Sequence, residues 1–348
     1  MTQMADEIRE IPEAIDRLLN RGTRAIETAA TLVSRAKPQW VSIVARGTSG
    51  HAAVYARYLI ETRLGIPVSL TAPSTLGIYG ATISWEGGLV IAISQSGQSP
   101  DLLAAVEAAT RAGAGAIAIC NDAESPLAGA CETVVECHAG PELSVAATKS
   151  YVTSLLAVTW LVAQLDTTPG YTLASLPGVA SRAIVAGRSW IERGDVVDAF
   201  AAAAGALVLG RGYNLSTVLE VALKLIETSR LLAIGYSAAD FEHGPSVLAR
   251  RGVPILAFES PTPIGSLLAS SLARITEAGG EPWTVSHRGI RDTHQGDYHT
   301  LILPDSVPDE ISPIVYAIPG LMLAEAVARR LGLDPDAPAG LSKVTLTR

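Results

Sequence analysis

Two serine-rich turns carry the most chemistry in this sequence. Ser94-Gln95-Ser96-Gly97-Gln98-Ser99-Pro100 follows an apolar run and opens a helical pattern, with Ser99 as N-cap and Pro100 at the first helical position. Backbone N–H groups at such a helix start, with the dipole behind them and hydroxyls beside them, form an anion site. Ser94, Gln95, Ser96 and Ser99 would then hold a small phosphorylated ligand, although an ordinary capped helix after a buried strand fits the same residues. Gly47-Thr48-Ser49-Gly50 is a weaker instance of the design. Neither turn has the GxxxxGK[ST] or GxGxxG spacing, which argues against ATP or NAD.

Further along, the helical pattern from Ser216 to Leu232 places Leu219, Ala222, Leu223 and Ile226 on a core-facing stripe. Glu220, Lys224 and Glu227 fall on the adjacent stripe, four and three residues apart. They read either as a solvent-facing ion-pair ladder or as a carboxylate base held by an ammonium in a pocket. Phe241-Glu242-His243-Gly244-Pro245 puts a lone histidine on a turn, either structural or presented for acid–base work. Cys120, Cys131 and Cys137 are an odd set at unremarkable spacing, so reduced, partly buried thiols are expected and a zinc site with His138 is not. His287, His294 and His299, with Asp292 and Asp297, read as a solvated loop and not as a metal site. The tail from Asp334 reads as an ordinary terminus.

The elements that must position these groups alternate along the chain. Met4 to about Arg35 repeats apolar residues at helical spacing, as one or two helices. Strand-like runs follow at Trp40–Ala45, Pro67–Thr71, Gly88–Ile93 and Ala114–Cys120, with helices to about Leu64 and over Pro100–Arg111. The pattern restarts with strand Ala206–Leu209, the Ser216–Leu232 helix, strand Val253–Phe258, a helix from Ile264, strand Thr300–Leu303 and a helix over Ser312–Leu331. Continuous apolar runs alternating with helices predict parallel sheets covered on both faces. The expected organisation is a helical segment over 1–36, α/β domains over 37–185 and 186–333, and a tail over 334–348.

Composition narrows the function classes. A chain of 348 residues that is 48% hydrophobic and 17% charged has ample apolar surface for two cores. The net charge of −8, with no basic block, argues against nucleic acid or anionic lipid as partners. No uninterrupted apolar run reaches the ~18–20 residues of a membrane helix, and the start lacks the plan of a signal peptide, so a cytoplasmic location is expected.

Taken together, Arg46-Gly47-Thr48-Ser49, Ser94-Gln95-Ser96-Gly97, Val145-Ala146-Ala147-Thr148-Lys149, Leu209-Gly210-Arg211-Gly212, Leu219-Glu220 through Lys224 and Glu227, His243-Gly244-Pro245 and Leu341-Ser342-Lys343 resemble the double sugar-isomerase (SIS) domain family. The likeness is greatest to the isomerase half of glucosamine-6-phosphate synthases, and the opening Glu7-Ile8-Arg9-Glu10-Ile11-Pro12 resembles the start of that half. The resemblance implies two tandem SIS domains, each a three-layer α/β/α sandwich, and a phosphosugar site without metal or cofactor. Gly47, Thr48, Ser49, Ser94, Gln95, Ser96, Ser99, Glu142, Val145, Ala147 and Ser342 would contact the phosphosugar. Glu227 would move a proton between C1 and C2 beside Lys224, and His243, from the neighbouring subunit of a homodimer, would open the ring. Lys343 would close over the sugar and can form a Schiff base with an open-chain carbonyl.

Departures from that pattern matter. Ala147, Ile226 and Ile234 stand where the synthases carry serine, lysine and glutamate. The chain enters the isomerase segment directly, so no glutaminase part is expected. That favours deamination of glucosamine 6-phosphate to fructose 6-phosphate and ammonia. Alternatives are dehydration of N-acetylglucosamine 6-phosphate by the same C2 deprotonation, cleavage of fructosamine 6-phosphates, ketose/aldose-phosphate isomerisation, and a non-catalytic phosphosugar sensor.

Overall fold

The computed structural model describes residues 2–168, 170–261, 263–287 and 299–344. Of the residues expected on a solvated loop, Asp292, His294 and Asp297 fall outside the described residues, whereas His287 is buried at the end of strand Pro282–His287 and His299 opens strand His299–Leu303. The chain divides into two compact units. Unit one comprises residues 13–142, 149–175 and 342–344; unit two comprises 2–12, 143–148 and 176–341.

The opening segment forms three helices, α1 (Gln3–Arg9), α2 (Ile11–Arg21) and α3 (Thr23–Ala36), one more than the sequence pattern suggests. The rest of unit one is built from β1 (Trp40–Val44), α4 (Gly47–Leu64), β2 (Val68–Leu70), α5 (Pro73–Gly77), β3 (Gly88–Ser94), α6 (Pro100–Arg111), β4 (Gly115–Cys120), α7 (Pro126–Gly129), β5 (Thr133–Glu136) and α8 (Lys149–Leu165). Unit two adds α9 (Leu176–Glu192), α10 (Asp195–Ala202), β6 (Gly205–Gly210), α11 (Leu215–Ser229), β7 (Leu232–Ser237), α12 (Ala238–Glu242), β8 (Ile255–Phe258), α13 (Gly265–Glu277), β9 (Pro282–His287), β10 (His299–Leu303) and α14 (Ser312–Arg330).

All described pairings are parallel, and the sheets run β2-β1-β3-β4-β5 and β10-β9-β8-β6-β7. Read from the other edge, the second order repeats the first, so the duplication expected from the pattern of elements is present in the topology. The β3 side chains show why the strand reads as a continuous apolar run. Leu89 and Ile91 face a core shared with Ile60 of α4 and Val158 of α8, while Val90 and Ala92 face Leu102, Ala105 and Val106 of α6. Burial on both faces leaves no position where a polar side chain would stay solvated. In unit two, Leu207, Leu209 and Ala257 pack on Phe241, Leu268 and Leu272.

Three further expectations need correction. Of the stripe expected to face the core, only Ala222 is buried, Leu219 and Leu223 are half-buried and Ile226 is exposed, because the enclosed face of α11 is formed by Val218, Val221 and Leu225. The helix expected to reach Leu232 ends at Ser229, because Arg230 turns left-handed (φ 54°) and Leu232 starts β7. One segment, Asp309–Arg330, is long and apolar enough by composition to span a membrane, with a mean hydropathy of 1.6. Counting uninterrupted apolar residues misses it because Glu325 breaks the run. Its apolar window is 94% buried inside the protein, as the core helix of a two-sided sandwich is.

Candidate functional site

Strand order reverses between β1 and β3, which lie side by side with Val44 opposite Ala92. Open α/β sheets bind ligands at the carboxyl ends of strands at such a switch point. Both serine-rich turns are there: Gly47, Thr48 and Ser49 form the first turn of α4 after β1, and Ser94–Ser99 joins β3 to α6. An ion pair ties the two helix starts, Arg46 Nε lying 2.9 Å from Asp101 Oδ2 in the first turn of α6. A cleft of about 290 Å³ borders them, lined by Arg46, Pro73, Ser74, Ile78, Pro100 and Asp101. Other depressions, at Arg251–Pro254 and at Ser84–Gly88, border the amino ends of strands, where no helix start converges.

The Ser94–Ser99 turn is built for a fixed shape. Gly97 takes a positive φ of 62°, donates its N–H to Ser94 Oγ at 3.1 Å and accepts from Leu127 N at 3.2 Å. A Cβ on Gly97 would sit 2.1 Å from Ser125 Oγ, so only glycine fits this close approach. Ser96 Oγ accepts from Gln98 N at 3.3 Å. Ser99 is the N-cap of α6, yet its side chain makes no capping hydrogen bond, and Pro100 occupies the first turn. Its hydroxyl is therefore not committed to the helix, as an ordinary cap would be.

Glu142 is buried in unit one, with its Oε1 accepting from Ser150 N at 3.0 Å and its Oε2 from Ser150 Oγ at 2.6 Å. Lys343 Nζ reaches the same Oε2 at 2.9 Å. Burial pushes the Glu142 carboxyl up, but the Lys343 charge and the Ser150 hydrogen bonds outweigh it and hold it below the usual range. Ser342 Oγ donates to Val344 O at 3.0 Å. Val145 and Ala147, both half-buried, lie on the 143–148 segment, which belongs to unit two. There Glu7 accepts from Leu143 N and Ser144 N, and Val145 N donates to Asp336 O at 2.9 Å.

Unit two also carries the acid–base stripe. Lys224 Nζ lies 3.4 Å from Glu220 Oε1 and 2.5 Å from Glu227 Oε2. Side-chain exposure is 1% for Lys224, 0% for Glu220 and 22% for Glu227. A solvent-facing ladder does not fit groups this deeply buried. Burial pulls the Lys224 ammonium down, but the two carboxylates outweigh it and hold its pKa above the ordinary lysine value. Lys224 is thus a fixed cation, and Glu227 a pinned carboxylate with one face open. His243 sits on the exposed turn after α12, its backbone N–H donating to Asp240 O at 3.1 Å, followed by Gly244 at φ 134°. Glu242 beside it accepts from Ser271 and Arg274, which hold its carboxyl below the usual range.

The structure thus gathers Gly47, Thr48, Ser49, Ser94, Gln95, Ser96 and Ser99 at one switch point, sets Lys343 on Glu142, and clusters Lys224 with Glu227. Ser125, Ser150 and the Arg46–Asp101 pair are additions that local spacing does not reveal, and Glu220 stood in plain view on the stripe. Burial holds the Cys120 thiol at about 11 and those of Cys131 and Cys137 at about 12, so all three are unreactive at neutral pH. Among the described residues, no group of three His, Cys, Asp or Glu is arranged to hold a metal.

Comparison with known proteins adds three findings. The family model for the SIS domain matches residues 36–164. The glutamine–fructose-6-phosphate aminotransferase (isomerizing) of Zymomonas mobilis is 34% identical over 356 residues, which cover 98% of this chain and 58% of the relative. The chain spans somewhat over half the length of the curated relatives it matches. Among solved structures, a Silicibacter pomeroyi protein described provisionally as a phosphosugar isomerase is 36% identical, with a TM-score of 0.85 over 97% of this chain and 100% of that one. The C-terminal domain of a Francisella tularensis glucosamine-fructose-6-phosphate aminotransferase is 27% identical, with a TM-score of 0.86 over 97% of this chain and 98% of that one.

Proposed function

The chain belongs to the SIS-domain family of phosphosugar isomerases and deaminases, and from that premise we propose that it deaminates glucosamine 6-phosphate to fructose 6-phosphate and ammonia. The observation that carries the reading is the Glu220–Lys224–Glu227 cluster: a buried ammonium fixed by one buried carboxylate and holding a second whose outer face is open. Such a carboxylate is oriented by the ammonium and available to a substrate carbon, as a general base must be.

The serine-rich turns at the β1/β3 switch point would take the 6-phosphate through the N–H groups of two helix starts and the hydroxyls of Thr48, Ser49, Ser94, Ser96 and Ser99. His243 would open the pyranose ring by shuttling a proton between O5 and O1. Glu227 would then remove the C2 proton of the open aldehyde, forming an enolamine, and return it to C1. The resulting C2 imine takes up one water and releases ammonia, leaving the C2 ketone of fructose 6-phosphate. The C1 aldehyde is reduced to an alcohol while C2 is oxidised, so no external redox partner is needed.

The working unit on this reading is a homodimer that shares His243. The exposed position of His243, beside the exposed apolar Val247 and Leu248, supports that arrangement. The experiment is a coupled assay of ammonia and fructose 6-phosphate from glucosamine 6-phosphate, run with Glu227→Gln, with His243→Ala, and with the two variants mixed. Each variant alone should be inactive, and mixed dimers should regain a fraction of activity. Wild-type protein that binds the substrate and yields neither product would overturn the deaminase reading, and a mixture as inactive as its parts would overturn the shared site.

A further inference from the structure

The tail lysine has a partner that neither the proton-transfer chemistry nor phosphate binding requires. Glu142 is completely enclosed, and its two oxygens are committed to Ser150 N, Ser150 Oγ and Lys343 Nζ. Lys343 keeps 23% of its side chain exposed. The carboxylate comes from the residue just after Pro141, the hydroxyl from the second residue of α8, and the ammonium from 201 positions downstream. A terminal segment carrying a single ion pair on the surface would be frayed. Here the acceptor has support besides the lysine, because Ser150 donates to both carboxylate oxygens.

Lysine use in the chain supports a specific role for this amine. Of 26 basic residues only four are lysines: Lys37, Lys149, Lys224 and Lys343. Lys37 is exposed, Lys149 and Lys224 are 1% exposed, and the remaining surface cations are arginines. An ammonium, unlike a guanidinium, can be seated as a point donor on one carboxylate oxygen and later released as an amine.

We propose that Glu142 is the positioning residue for Lys343: its carboxylate, held by Ser150, seats the tail amine. With both of its oxygens taken by Ser150 and Lys343, Glu142 on this proposal acts through the lysine instead of contacting the phosphosugar as the family resemblance implied. The proposal deepens the phosphosugar reading, on which the lysine's catalytic use rests, but the seating itself is tested with no sugar phosphate present.

The scarcity of lysine makes the test direct. The full-length ligand-free protein is treated with an amine-acylating reagent and modification is followed at each lysine by peptide mass spectrometry. Hydrogen bonds to charged groups carry enough free energy to slow Lys343 relative to Lys37 by about tenfold or more. Glu142→Gln should bring Lys343 to within about twofold of Lys37, while Lys149 and Lys224 stay protected as internal controls of folding. Glu142→Asp, which keeps the charge on a shorter arm, should fall between. In turnover, Glu142→Gln should lower kcat and leave KM for the phosphosugar near wild type. Should Glu142→Gln fail to fold, Lys343→Met serves instead, with chymotryptic cleavage after Leu341 expected to accelerate. Lys343 as reactive as Lys37 in the wild type, or unchanged by Glu142→Gln, or a Lys343→Met tail cleaved at the wild-type rate, overturns the proposal. Protection without any sugar-phosphate turnover would leave the seating standing and remove the deaminase reading.

Discussion

Replacing Lys224 with methionine leaves Glu220 buried without its counter-ion. At the observed 3.4 Å, the lost attraction is about 5 kcal/mol with an effective dielectric near 20. The protein has a less costly response, which is to protonate Glu220. That costs about 1.4 kcal/mol for each pH unit above an ordinary glutamate value near 4.3, hence about 3–4 kcal/mol at pH 7 and about 1 kcal/mol at pH 5. The wild-type contribution is flat over this range. A pKa raised above 10.5 gives stability that is fully present below that value and is lost only as pH rises through the folded-state pKa. Lys224→Met should therefore be strongly destabilised at neutral pH and recover most of its stability on acidification to pH 5. The double variant Glu220→Gln/Lys224→Met should be less destabilised than Lys224→Met at pH 7. Urea unfolding followed by tryptophan fluorescence reads this, since Trp190 and Trp283 lie in unit two and Trp40, Trp85 and Trp160 in unit one. A Lys224→Met loss equal at pH 5 and pH 7, or a double variant as unstable as the single one, would refute the buried-pair reasoning.

Other outcomes follow from particular contacts. Gly97→Ala drives a methyl into Ser125 Oγ and strains a left-handed turn, so it should cost about 1–3 kcal/mol and weaken phosphosugar binding in calorimetric titration; Ser125→Gly in the same chain should restore part of both. Ser99→Ala removes a hydroxyl that makes no cap bond, so its unfolding free energy should change by less than about 0.5 kcal/mol while phosphosugar affinity falls. Burial pushes the Asp309 carboxyl up to about 6, and the neighbouring Glu310 charge adds to the rise. An acid with a raised folded-state pKa destabilises the fold above that value, here by up to about 3 kcal/mol, and the penalty disappears as pH falls toward 4. Asp309→Asn should accordingly raise the chemical-denaturation midpoint at pH 8 and leave it nearly unchanged at pH 4.

Strands β1, β3, β4, β6 and β8 are legible in the sequence because their positions are enclosed on both faces, which demands near-continuous apolar residues. The edge strand β7, Leu-Ala-Ile-Gly-Tyr-Ser, is half-exposed and looks like a helix continuation, because the helix stop is Arg230 in a left-handed conformation with no glycine to mark it. β5 and β9 have mixed compositions, Thr-Val-Val-Glu and Pro-Trp-Thr-Val-Ser-His, whose burial comes from neighbours and not from their own pattern. At the candidate site, the local turns are readable because the hydroxyls, the glycine and the helix start are contiguous. The i,i+4 spacing of Glu220 and Lys224 is equally visible, but it fits a solvated ladder as well as a buried pair, and only packing against the core distinguishes them. The Glu142–Ser150–Lys343 cluster joins residues up to 201 positions apart, so no local pattern discloses it.

The central claim is that Glu227 carries a proton between C2 and C1 of an open-chain sugar phosphate. Glucosamine 6-phosphate bearing deuterium at C2, incubated with the wild-type protein in ordinary water, should lose that deuterium to C1 of fructose 6-phosphate and to solvent at a rate matching turnover. Glu227→Gln should bind the sugar comparably and slow the exchange by about 10²–10⁴-fold, the usual contribution of a general base. Exchange within tenfold of wild type in Glu227→Gln, or a wild-type protein that binds the sugar and leaves its C2 deuterium in place, would contradict the account.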